Sequence, residues 1–173
     1  MELKSIRLVV FFKEFAGVSV GEIERGKMTD REFLVIDEVD GTETLHETPD
    51  ALFYNPQRHL KSELEILTRD CPDKPTSKTL VQIHEMPEGG TSKNLFGAVS
   101  LKYGDLCLTR AQIRKFYQSH RQWLEGEGWI TLFLFKVGTE FFVAFVSADK
   151  GRNLLAGVQA FLQSGHHVWG DQG

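Results

Sequence analysis

Six histidines and two cysteines are the groups in this chain best suited to act as base, nucleophile or metal ligand, and their spacing limits what they can do. Cys71 and Cys107 lie far apart with no Cys-x-x-Cys, so the chain carries neither zinc-binding pairs nor the disulfide framework of a small secreted domain. Reduced thiols in a cytoplasmic setting follow. A catalytic thiolate needs a positive, partly open setting with a base nearby. Cys107 sits between Leu106 and Leu108 and reads as a small core residue, while Cys71 precedes Pro72 in a loop. None of His46, His59, His84 and His120 can be assigned to either as base, and His120 falls on the apolar stripe of its own helix. Carboxylate pairs such as Asp37 and Glu38 are too numerous for one to stand out.

Three stretches come near to known binding motifs and stop short. Gly21-Glu22-Ile23-Glu24-Arg25-Gly26-Lys27 has the glycine and lysine spacing of a phosphate loop, but Met28 stands where a hydroxyl must hold magnesium, and two glutamates would repel phosphate. His84-Glu85 opens like a zinc-protease signature, yet position 88 is Glu88 behind the helix-breaking Pro87. His166, His167 and Asp171 lie in a polar, glycine-rich tail that lacks an ordered scaffold for a metal. No Rossmann glycine pattern, kinase set, nucleophile elbow, zinc-ribbon spacing or RNA-recognition motif appears. No metal and no cofactor are therefore expected. The balance leans away from an enzyme, although a hydrolase or transferase whose Cys/His or carboxylate/His pair meets only on folding stays open.

Charge is more informative than motif. The formal net charge of −4 excludes a strongly basic nucleic-acid binder of the kind recognised from whole-chain charge. From Glu22 to Asp50 there are ten acidic residues against Arg25, Lys27 and Arg31; from Thr109 to Glu125, Arg110, Arg114, Lys115 and Arg121 face one glutamate. At 100° per residue Arg110, Arg114 and Arg121 share a stripe beside Ile113, Tyr117 and Leu124. Guanidinium groups beside an aromatic edge suit phosphate or an acidic protein surface, whereas an ordinary solvated helix edge is the plainer meaning. Arg110, Arg114, Arg121 and Tyr117 are accordingly the candidate partner-binding residues.

The leading expectation is a small binding or adaptor domain that acts by protein association, self-association included. Reversing the three arginines to glutamate should then weaken association and spare the fold. The alternative is single-stranded nucleic-acid binding by the same arginines, with Tyr117, Trp123 or Trp129 as stacking platforms. The apolar run Leu8 to Phe12 is too short to span a membrane and is broken by Lys13 and Glu14, so no membrane role is expected.

These residues need a frame, and the frame is Gly128 to Leu162. Trp129 to Phe135 and Phe141 to Val146 are apolar at odd and even positions, so each strand must be covered on both faces, or on one face plus a partner. With 173 residues, 41% hydrophobic and 25% charged, the chain can bury a core and is not disordered. Residues 1–165 read as one α+β domain and 166–173 as a flexible tail. Ser5 to Phe15 reads as a buried strand, Asp40-Gly41 as a hairpin turn between Glu32–Val39 and Thr42–Glu47, and Thr79 to His84 as a short strand. Leu95–Leu101 and Asp105–Leu108 read as a further hairpin. Helices are expected at about 56–69, where Asn55-Pro56 offers a start, at 110–125 behind a Thr109/Gln112 capping box, and at 152–163, where Leu154, Leu155, Val158, Phe161 and Leu162 recur at helical spacing. The expected architecture is a mainly antiparallel sheet of about 7–8 strands in hairpins, with the three helices largely on one face.

Overall fold

The computed structural model describes residues 5–12, 32–43, 45, 73–86, 89–126, 128–148 and 154–161. Its frame is a six-stranded sheet in an α+β arrangement. In chain order the strands are β1 (Ser5–Phe11), β2 (Glu32–Ile36), β3 (Thr79–Met86), β4 (Trp129–Val137), β5 (Glu140–Ala148) and β6 (Leu154–Ala160). Across the sheet they run β2-β3-β1-β4-β5-β6. The largely apolar strands β4 and β5 pair antiparallel from Ile130↔Ser147 to Val137↔Glu140, and the turn between them needs Gly138, whose φ of 63° costs other residues steric strain. β4 lies inside the sheet, between β5 and β1.

Alternation along these strands feeds two cores. Val9, Phe133, Phe135, Phe142, Ala144 and Val146 point to one face and Ile6, Leu8, Leu132, Leu134 and Val143 to the other. The first face is covered by helix α2 (Arg110–Ser119), through Ile113, Phe116 and Tyr117. The second is covered by helix α1 (Ser92–Gly97) and a 3-10 turn at Tyr103–Leu106, through Leu95, Phe96 and Leu106. Between Leu106 and Leu108 the chain passes from one core to the other, held where the Leu108 N–H donates to the Leu134 carbonyl at 2.9 Å. Burying a side chain of Phe or Leu size is worth ~1.5–3 kcal/mol, so both faces contribute to holding the sheet.

Several expectations need correction. The sheet is mixed, because β1 and β4 are parallel while the other neighbours are antiparallel, and among the described residues it has six strands rather than seven or eight. The helices do not share a face. Within the stretch expected as a helix at 152–163, Leu154–Ala160 forms β6: Leu154, Ala156, Val158 and Ala160 also alternate, and pairing with β5 settles which period is used. Leu95–Leu101 and Asp105–Leu108 are not a hairpin, because Thr91 accepts from the Asn94 N–H and starts α1 instead. At Asp40-Gly41 the carboxylate accepts from the Thr42 N–H and hydroxyl, and Val39 bridges to Thr76, so no strand pair forms around this turn among the described residues. α2 begins behind its capping box as expected but ends at Ser119, and a 3-10 turn, Arg121–Trp123, follows. The helix expected at 56–69, the phosphate-loop spacing at 21–27, Cys71 and the tail 166–173 lie outside the described residues. No helix among the described residues is long and apolar enough to cross a membrane.

Candidate functional site

The arginine stripe of α2 is where sequence pointed first, and it is closed by the chain itself. Thr109 and Gln112 bond reciprocally at the helix entrance, at 3.1 and 2.9 Å, and the Gln112 side chain continues to the Thr79 hydroxyl at 2.9 Å. The first N–H groups of the helix, of Arg110 and Ala111, donate to Asp73 Oδ2 at 2.8 and 3.4 Å. Arg110 Nε lies 3.5 Å from the same oxygen. One carboxylate thus meets the positive end of the helix and a guanidinium together, the usual way to hold an anion at a helix N-terminus. Arg110 is 2% exposed and Arg114 9%, with Arg114 Nε 3.6 Å from Glu43. The acidic segment is seated there by its own backbone. Val39 and Thr76 exchange hydrogen bonds at 3.0 and 2.9 Å, and Gly41, with φ 84°, lies so close that a Cβ would clash with the Asp73 carbonyl.

Of the four candidate residues, only Arg121 reaches solvent. It bonds Glu125 at 2.8 Å and lies 5.4 Å from the Tyr117 ring, which is itself 4% exposed. Arg110 and Arg114 are thus closed by Asp73 and Glu43, and Tyr117 is buried, so these three do not form an open rim. His120 ends the helix against the sheet, with Nε2 donating to the Val35 carbonyl at 2.8 Å and its ring 5.1 Å from Phe116. It is a satisfied structural histidine.

The two tryptophans offered as stacking platforms already hold a cation. Arg7, in β1, places its guanidinium 5.0 Å from the Trp123 ring and 4.3 Å from the Trp129 ring, donates to the Trp123 carbonyl and lies 4.0 Å from Glu85. Sequence reasoning passed over Arg7, although a lone arginine inside an apolar strand requires such partners.

Catalytic groups do not converge among the described residues. Cys107 contacts the Tyr103 carbonyl through Sγ at 3.5 Å, and burial pushes its thiol up to about 12 despite the opposing pull of Lys136, so it stays protonated at neutral pH and is a poor nucleophile. His84 lies on β3 and not on a helix, so no zinc-protease pair can form there. Among the described residues no group of three or more His, Cys, Asp or Glu is placed to hold a metal. An open depression of about 420 Å³ is lined by Glu38, Val39, Asp40, Pro75, Thr76 and Ser77. Its Asp40 carboxylate, held below the usual range by the Thr42 N–H and hydroxyl, is occupied by that turn.

What remains is a border. β6 is the last strand of the sheet, and its sequence Leu-Leu-Ala-Gly-Val-Gln-Ala has no charge and no proline. The Phe161 N–H donates to the Phe141 carbonyl opposite it, so by antiparallel alternation Leu155, Gly157 and Gln159 turn their backbone groups to β5. Leu154, Ala156, Val158 and Ala160 turn theirs away from it. Natural edges are normally blunted by charge, proline, a bulge or a cover, and among the described residues β6 shows none of these. The opposite border strand, β2, starts at Glu32 and has the Val35 carbonyl taken by His120. The signal in the sequence is an uncharged seven-residue run whose leucine and valine spacing, continued by Phe161, also fits a helix.

The comparisons with known proteins give no family. No family description matches this chain, no curated protein matches it and no solved structure matches it. A functional reading rests on the chain's own geometry.

Proposed function

We propose that this is a protein-association domain that adds an extended segment of its partner to the sheet along β6. The observation that carries the reading is the contrast between the two borders: β2 begins with a glutamate and has its Val35 carbonyl taken by His120, while β6 presents the N–H and C=O groups of Leu154, Ala156, Val158 and Ala160 on a strand without a charge. Main-chain hydrogen bonds supply affinity in strand addition, and alternate side chains supply selectivity. The apolar face such a segment would continue is formed by Leu154, Ala156 and Ala160, which are partly buried against the core of β5 and α2. Association is the class expected from the sequence, here moved from the arginine helix to the sheet edge.

Proline at 156 is the discriminating change. The Ala156 N–H points away from β5, so the substitution removes an outward donor and leaves the β5–β6 ladder intact. A fluorescent peptide of alternating threonine and valine should bind the parent chain, and Ala156→Pro should lower that binding tenfold or more with an unchanged circular dichroism spectrum. Equal binding to both proteins removes the edge as the docking surface.

A further inference from the structure

We infer that the occupant of the β6 edge is a second copy of this chain, paired β6 to β6 antiparallel about a two-fold axis at Gly157. This inference rests on the edge reading above and names its partner. The strand runs Leu154–Ala160, so full overlap with an antiparallel copy places the axis at its midpoint, Gly157. In that register Leu154 faces Ala160 of the second copy, and Ala156 faces Val158. All four residues direct their backbone groups outward, so each pair would form the hydrogen-bonded type in which two residues exchange both bonds.

The side chains fit the same register. Each larger residue meets a small one, Leu154 with alanine and Val158 with alanine, so no bulk collides across the new seam. A strand with no charge cannot place like charges opposite each other when it meets itself, which is the usual obstacle to self-pairing. Opposed residues keep the same facing, so the face built from Leu154, Ala156, Val158 and Ala160 runs on into the same face of the second copy. An offset of one residue would set that face against the other side of the sheet. An offset of two would leave outward groups of the strand unpaired at both ends. The centre is kept clear by Gly157, over which the Phe145 ring of β5 lies so closely that a Cβ would meet it at 2.6 Å.

Sedimentation velocity on the full chain tests this, with amide exchange on the unmodified protein as a second reading that requires no variant to fold. The parent should pass from monomer to dimer across the micromolar range. The amides of Leu154, Ala156, Val158 and Ala160 should slow tenfold or more over the same range, and Ala156→Pro should remain monomeric. A parent that stays monomeric, yet binds the threonine–valine peptide in a manner sensitive to Ala156→Pro, overturns the second copy and leaves the edge reading standing. A dimer that forms equally well with Ala156→Pro, or one in which those amides do not slow, overturns the inference, because the copies then meet elsewhere. Loss of both dimer and peptide binding in the parent removes the edge reading with it.

Discussion

The entrance of α2 and the border at β6 are opposites. At α2, Arg110 and Arg114 are buried against Asp73 and Glu43, with backbone N–H groups, guanidinium and carboxylate matched within the chain. At β6 the strand carries no charge, and half of its backbone groups point away from the sheet. A cluster of charge in a sequence looks like a binding surface and a run of small apolar residues looks like filler. In this fold the charges are consumed internally, because leaving a guanidinium buried without its anion costs several kcal/mol. The neutral strand is the part whose hydrogen-bonding capacity is left at a border.

If that contrast is right, the largest effect comes from breaking the seam. Arg110→Glu would place a second carboxylate beside Asp73 at a position 2% exposed, and it should destabilise the fold by about 4 kcal/mol, read as a shift of the urea midpoint with unchanged slope. Losing the fold, and not merely association, separates this from the behaviour of an exposed docking residue. Arg110→Glu that unfolds at the parent's midpoint would show that the seam does not hold α2.

An intermediate effect is expected where the border is built. Gly157→Leu drives a side chain into the Phe145 ring, which a Cβ alone would approach to 2.6 Å, and overpacking of this kind costs about 2 kcal/mol. Adding Phe145→Ala to Gly157→Leu should recover part of that loss, since the two residues are directly opposite in the ladder. Strict additivity of the two changes would mean that the ring does not sit over the glycine in solution.

How far the sequence could be read follows the same division. The β4/β5 hairpin was legible because the runs Trp129 to Phe135 and Phe141 to Val146 are apolar at odd and even positions alike, with only Thr131 polar, and the start of α2 was legible because a capping box is a local signal. β6 was not, since Leu154, Val158 and Phe161 fit a helical period while Leu154, Ala156, Val158 and Ala160 fit an alternating one; pairing with β5, a contact made through the fold, decides between them. α1 was hidden by an apolar run that resembles a strand, although Thr91 marks its start. The burial of Arg110 and Arg114 was hidden for a related reason. Helical periodicity placed Arg110 and Arg114 on one stripe, but nothing local in the sequence says that residues 43 and 73 return to meet that stripe.

Arg121 sharpens the comparison from its weak end. It belongs to the same sequence stripe as Arg110, but its side chain is 47% exposed and its partner Glu125 is 41% exposed, four residues along the chain. An exposed pair of this kind contributes about 0.5 kcal/mol and is screened by salt. Arg121→Glu should therefore move the urea midpoint barely beyond error, and less still at high salt, while leaving dimerisation through β6 unchanged in sedimentation. A loss of association on Arg121→Glu with the fold intact would make the turn after α2 the docking surface and displace β6, because this is the one arginine of the sequence stripe whose charge the fold leaves at the surface.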